Sequence, residues 1–396
     1  MTPRKTIATK SVFIAPLLSA VAVTTLLGIS ARDAAAEPYM AVREGWACSA
    51  CHTNRSGGGM RNLTVEMHAP QILNLPNDGK GIFPDPPERF SPNINDYFSV
   101  GADMRLVDTL LFQDKPNQDG RVPNNTIGRP LESNSLDVNQ ATVYADLRLL
   151  PGYLNVYVDQ RFAPGGASNR EAWAMIENVI PGEVYLKGGQ FFPAWGLRIQ
   201  DDTAFVNSDT GLGFQRNLQG VEIGRTTEKL SLYAQVADGI GGGKFPFLVG
   251  NASYMWDKVG PFQGLYLGGS VAYNEPDGGR LGEYTGYAGF SVGPLAVLGQ
   301  GVLVDSKDDG DNNQQWIAYA EANWLLLGWI NTKFAFDWTD PDQSASDDAR
   351  NRFSIGLEPF LDQFLQVRLF YRVYNGPKNN LSANRDELLL EAHLFF

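Results

Sequence analysis

The chain is poor in the residues on which most metal and catalytic sites depend. Among 396 residues there are two cysteines and three histidines. A disulfide-stapled fold is thereby excluded, and so is any multi-ligand zinc centre built on cysteine and histidine. After residue 36 no apolar run approaches the ~20 residues that a membrane-spanning helix needs. Basic residues are outnumbered, 32 Lys and Arg against 44 Asp and Glu, for a formal charge of −12. So acidic a surface argues against nucleic acid as a partner. No Ser–His–Asp, phosphate-loop or dinucleotide pattern is present, and no internal repeat.

Both cysteines that do occur sit three residues apart, followed at once by a histidine: Cys48-Ser49-Ala50-Cys51-His52. This C-x-x-C-H spacing reads as a c-type haem attachment. Two thiols so placed can add to the two vinyl groups along one porphyrin edge, and the next residue, His52, is delivered to the iron as proximal ligand. A structural disulfide gives no reason for the histidine, and no βαβ pattern surrounds the pair as a thioredoxin-type motif would require. One covalent haem c is therefore the expected cofactor.

Residues 1–36 read as an export signal: Arg4, Lys5 and Lys10, an apolar stretch from Ser11 to Ser30, and Ala34-Ala35-Ala36 before Glu37. Residues 37–95 hold the haem motif, a Gly57-Gly58-Gly59 run and a proline-rich connector at Pro84, Pro86 and Pro87. So short a segment supplies few apolar walls for a haem, so the rest of the chain is expected to supply part of the pocket.

From residue 96 to 396 the signal is period-two alternation. Val143, Ala145, Leu147 and Leu149 alternate with Thr142, Tyr144, Asp146 and Arg148; Leu365, Val367, Leu369 and Tyr371 alternate with Gln366, Arg368, Phe370 and Arg372. One face is apolar and the other carries charge of both signs. Short turns, as at Pro151-Gly152, Pro181-Gly182, Gly293-Pro294 and Asp362, alternate with longer polar loops expected over 113–136, 163–170, 192–212, 239–246, 275–282, 305–314, 340–350 and 375–385. That rhythm is the signature of a transmembrane barrel in the outer membrane. Counting between breaks predicts an all-β fold of about 16 antiparallel strands. The last strand ends on Phe396 and must pair with the first, because an open edge in lipid leaves backbone groups unsatisfied. Trp256, Trp324 and Trp329 near short turns, and Trp316 and Trp338 near long loops, suit two interfacial girdles.

In this order of parts the chain resembles the fused monohaem c-type cytochrome–porins of the outer membrane, a family that exchanges electrons with extracellular iron or other solids. At residue level the resemblance rests on Cys48, Cys51 and His52. It implies single-electron transfer between an extracellular donor or acceptor and periplasmic cytochromes, as an iron oxidase or metal reductase. The alternative is a diffusion porin for small solutes in which the haem is a sensor, plug or structural element.

The second iron ligand must come from a short list. His68 ranks first, a methionine (Met40, Met60 or Met67) second, and His393, which points inward on the last strand, third. Against these stand a solvated connector residue at 68 and a polar lumen residue at 393. The loop with Trp195, Arg198, Asp201, Asp202 and Asp209 is either an inward constriction or an ordinary surface loop. Acidic clusters at Asp305, Asp308, Asp309 and Asp311, and at Asp340, Asp342, Asp347 and Asp348, could draw a cationic donor but read first as solvated outer surface.

Overall fold

The computed structural model describes residues 37–62, 75–76, 81–82, 91–115, 128–214, 216–239, 243, 245–308 and 311–396. The expected export signal, His68, Met67 and most of the proline-rich connector lie outside the described residues.

Sixteen antiparallel strands close into a barrel. In chain order they are β1 (Phe98–Phe112), β2 (Leu131–Leu150), β3 (Leu154–Ala163), β4 (Ser168–Ile180), β5 (Val184–Phe191), β6 (Leu218–Thr226), β7 (Leu230–Ala237) and β8 (Phe247–Trp256). There follow β9 (Gly264–Asn274), β10 (Gly279–Val292), β11 (Leu295–Asp308), β12 (Asp311–Leu325), β13 (Ile330–Asp340), β14 (Arg350–Asp362), β15 (Leu365–Asn375) and β16 (Asp386–Phe395). Each strand pairs with the next, and β16 closes on β1 through Asp386↔Phe112 to Phe395↔Asp103. The Phe396 N–H adds one more bond, to the Ala102 carbonyl. No edge is left exposed to lipid, as the bilayer demands. A three-residue strand, Asn93–Asn95, lies against the start of β1.

Alternation decides which side chains face lipid. On β2, Val143, Leu147 and Leu149 are exposed, whereas Thr142, Tyr144 and Asp146 between them are buried. On β15, Leu369 and Tyr371 face out; Gln366, Arg368 and Arg372 face a filled interior. Trp256 and Trp324 lie exposed near short turns and Trp316 near the opposite rim, as girdles require.

Turns and loops alternate as the sequence implies, but four loops are shorter than expected. The 305–314 loop contracts to residues 309–310, because β11 and β12 run on as a ladder to Asp308↔Asp311. Those over 163–170 and 275–282 shrink to 164–167 and 275–278, and β2 begins at Leu131, inside the loop expected over 113–136. These extensions rise beyond the ~9–11 residues that cross the bilayer. There both strand faces are wet, so polar residues continue a strand without alternation; Leu131–Asp137 are all exposed.

Two segments fill the lumen. One is residues 37–62, ahead of β1. The other is the long connection 192–217 between β5 and β6.

Candidate functional site

The N-terminal segment begins with helix α1 (Pro38–Glu44). Pro38 is at its first position, and Gly45 closes it in the left-handed region (φ 70°), its N–H bonded to the Ala41 carbonyl. The helix buries Tyr39, Met40 and Val42 against the wall; Ser291 Oγ donates to the Val42 carbonyl at 3.2 Å. Glu37, just before it, is tied to Lys333 Nζ and to Arg368 Nη2, each at 2.6 Å. Burial pushes the Glu37 carboxyl up, but the two cations outweigh it and hold it at about 2.

Next comes the haem motif. Cys48–Ala50 form a 3₁₀ turn. Cys51-His52-Thr53 then runs antiparallel to Met60-Arg61-Asn62. The ladder is made by Thr53 N–H to the Met60 carbonyl, Asn62 N–H to the Cys51 carbonyl and the bridge His52↔Arg61. This hairpin is bonded to the barrel wall along its length. Asn54 Nδ2 donates to Glu171 Oε1 at 2.9 Å and Asn54 Oδ1 accepts from Lys187 Nζ at 3.0 Å. Arg55 pairs with Glu177 at 2.6 Å, Tyr233 donates its hydroxyl to the Arg55 carbonyl, and the Met60 N–H donates to the Tyr157 hydroxyl at 2.9 Å. The glycine run sets how closely the hairpin can approach the wall and the loop. A Cβ on Gly58 (φ 80°) would lie 2.7 Å from Phe214, and one on Gly59 (φ 68°) would strike the Tyr157 hydroxyl.

Beside the hairpin is a cavity of about 850 Å³, within the ~300–1,000 Å³ typical of cofactor pockets. His52, Met60 and Arg61 border it from the segment; Tyr97, Arg148, Leu154 and Met175 border it from the barrel. Burial lowers the His52 imidazole, and the nearby Arg61 cation adds to this, taking it to about 3 against the pull of the Gly59 and Met60 carbonyls. The ring is therefore neutral at physiological pH, the form that ligates metal. Its Nδ1 is buried with no hydrogen-bond partner. A neutral imidazole directly after C-x-x-C, at the edge of a cavity of cofactor size, supplies the ligand a c-type haem needs; the rest of the lining is largely polar, and Cys51 is not part of it. Cys51 packs against the buried core; of Cys48 only the backbone is described.

The ligand candidates fall in different places. Met60 is buried and shares the cavity with His52; Met40 is buried on α1. His393 points inward on β16, as the alternation requires, and both its ring nitrogens face wall partners: Nδ1 is 3.3 Å from Gln366 and Nε2 is 3.3 Å from Asp103.

The 192–217 loop folds inward, which decides between its two readings. It crosses the lumen by backbone donors to inward-facing wall side chains: Ala194 N–H to Gln235, Gly196 N–H to Ser270, Leu197 N–H to Gln300 and Phe205 N–H to Asp337. Asp201 then meets Arg352 at 2.9 Å and Arg372 at 3.0 Å, and Asp209 meets Arg350 at 2.8 Å. Burial raises the Asp201 carboxyl, but both guanidinium groups override it and hold it well below the usual carboxylate range. A short helix, α2 (Phe205–Ser208), lies within the crossing. Trp195 is buried, and Arg198 lies over the Phe214 ring at 5.2 Å. Between α1, this loop and the wall the residual cavity is about 30 Å³.

At the rims, Asp305 pairs with Arg280 at 2.8 Å and Asp342 accepts from Ser344. Among the described residues, no group of three His, Cys, Asp or Glu side chains is arranged to hold a metal ion.

No protein-family model matches the chain, and no curated protein matches it by sequence. Solved structures do match. The loop-deletion form of OmpT, an outer-membrane protein of Vibrio cholerae, aligns with a TM-score of 0.56 at 9% identity, covering 76% of this chain and 99% of that one. The outer-membrane channel DcaP of Acinetobacter baumannii gives 0.54 at 11% identity, with 76% and 97% covered. An anion-selective porin from Comamonas acidovorans gives 0.54 at 11% identity, with 76% and 100% covered. At such identities the likeness is one of fold. The class of the protein follows from it and from the apolar belt: this is a porin-like transmembrane β-barrel of the outer membrane, with 16 strands and a filled lumen.

Proposed function

We propose that the barrel is an outer-membrane electron-transfer protein. It moves single electrons through one covalent c-type haem, between an extracellular donor or acceptor such as iron and periplasmic cytochromes. Cys48 and Cys51 would hold the porphyrin and His52 would ligate the iron. Bound there, the group supplies reversible one-electron chemistry. His68 is the proposed second ligand, with Met60 as the alternative because it borders the same cavity as His52.

The observation that carries this reading is the position of the C-x-x-C-H hairpin: it lies inside the lumen, bonded to the wall at Asn54, Arg55 and Met60. The chain's own residues do three things for such a group. They fix the motif rigidly, they keep His52 neutral, and they fill the lumen around it with ion pairs. Denatured protein should keep haem peroxidase activity on a gel, and Cys48→Ala with Cys51→Ala should lose it. Haem released from the unmutated protein by acid–acetone would overturn the proposal.

The porin fold itself favours a second reading, a solute channel corked by residues 37–62. Solute flux in liposome swelling assays at rates typical of open porins would support the channel. Reduction of the haem by an extracellular donor in intact cells would support electron transfer.

A further inference from the structure

Two carboxyl groups on the lumen wall stand outside every ion pair described above. Asp159 on β3 and Glu171 on β4 are cross-strand partners, and both are fully buried. Neither oxygen of Asp159 has a hydrogen-bond partner, nor has Oε2 of Glu171. Directly opposed side chains on an antiparallel pair have Cβ atoms only ~4.5–5.5 Å apart, and like charges so placed repel.

The charged groups facing this pair are largely committed elsewhere. Lys187 on β5 holds Glu222 at 2.8 Å. Arg161 donates to Ser168, and Arg198 of the crossing loop lies over Phe214. Asp103 on β1 is held by Arg105, with His393 Nε2 3.3 Å away. Tyr144 and Tyr157 add hydroxyl groups but no cation. Among the described residues Arg170 alone comes within ion-pair distance, with Nε 4.0 Å from Asp159 Oδ2, while Lys187 and Arg198 attract Glu171 from beyond it. The pair thus has one ion-pair contact, at the limit of the distance, for two fully buried carboxyl groups. Away from water, two anions sharing a site cannot both stay ionised, and a retained proton also supplies the donor that the unpartnered oxygens lack.

We propose that Asp159 and Glu171 hold one proton between them and form a redox-linked proton site for the haem hairpin. The inference rests on the haem reading above. The coupling is short: Glu171 Oε1 accepts from Asn54, and its Oε2 would lie 3.3 Å from a Cβ on Gly59. Both residues belong to the hairpin that starts at His52. With haem bound, reduction by one electron would draw one proton from solvent in addition to the one the pair already holds, leaving both carboxyl groups protonated, and reoxidation would release that second proton. Only an O–H bond is made or broken in the protein. Added negative charge favours protonation, so the midpoint potential falls as pH rises.

The test uses full-length purified protein, with infrared spectra and spectroelectrochemical titrations over a range of pH. The expected result is a protonated-carboxyl stretch that disappears in both Asp159→Asn and Glu171→Gln, since a lone carboxylate beside Arg170 ionises. The potential should fall with pH toward a tenfold change in the redox equilibrium per pH unit, about 59 mV for one electron, and both variants should flatten that slope. Heat-modifiable migration on gels confirms that each variant is folded, and two independent variants guard against failure of one. A carboxyl stretch unchanged in both variants overturns the shared proton. A stretch that disappears alongside a potential independent of pH overturns the coupling. Protein without covalent haem overturns the haem reading and the coupling together, and the carboxyl stretch then still decides the shared proton.

Discussion

Glu37 is the anchor whose removal should free the lumen segment while leaving the barrel intact. Its carboxylate bonds Lys333 and Arg368 at 2.6 Å each. Holding a carboxyl at about 2 rather than 4.5 corresponds to about 3 kcal/mol, at ~1.4 kcal/mol per tenfold. This lies near the low end of the ~3–5 kcal/mol lost when one partner of a buried pair is removed. Glu37→Gln keeps the shape and removes the charge. The cations are not stranded, because Lys333 retains Glu358 at 3.5 Å and Arg368 retains Glu391 at 2.9 Å. Local opening of residues 37–62 should therefore rise by about a hundredfold, read by amide hydrogen exchange, with exchange in β14–β16 unchanged. The pH dependence has a definite sign. The folded value lies below the unfolded one, so the stabilisation is fully present above about 4.5 and is lost as pH falls toward about 2. Exchange corrected for intrinsic rate should quicken over that window in the unmutated protein and stay flat in Glu37→Gln. Equal protection in both proteins at neutral pH would refute the anchor.

Arg352→Leu removes the cation that holds Asp337 at 2.7 Å and Asp201 at 2.9 Å; the expected cost is ~3–5 kcal/mol, seen as faster proteolysis within 192–217, and unchanged cleavage would count against the crossing. Gly58→Ala meets Phe214 at 2.7 Å in a left-handed backbone, so the hairpin should loosen by ~1–2 kcal/mol; Phe214→Ala in the same chain should restore part of the exchange protection, and no restoration would point to backbone strain alone. For the second iron ligand, His68→Ala should convert the haem to high spin, with no sulfur-to-iron charge-transfer band in the unmutated protein; an unchanged spectrum moves the assignment to Met60.

Much of the barrel was legible because lipid imposes a rule on every second residue. Leu147 and Asp146 differ in environment for the same reason that they are adjacent, and sixteen such strands can be counted. The rule lapses beyond the bilayer. Asp311 to Gln314 sit in a ladder with both faces in water, so they read as a loop. The C-x-x-C-H motif was legible as chemistry, since its spacing is set by a porphyrin edge. What holds it was not. Glu37, Asn54 and Arg55 look like ordinary polar residues, and their partners Lys333, Glu171 and Glu177 are known only once the barrel has closed. The inward fold of the loop after Phe191 was one of two readings the sequence allowed, and nothing in it decided between them, since the anchors Gln235, Ser270 and Gln300 are simply the polar half of an alternating strand.

The order in which the lumen contacts can form is constrained by the same closure. Residues 37–62 precede every strand, yet Asn54 bonds β4 whereas Glu37 bonds β13 and β15. Such contacts span most of the chain, and long-range pairs form late and slowly. Glu37 cannot find both cations until the last hairpins are in register. The segment that leads the chain is thus among the last to settle, and its anchoring reports a finished barrel.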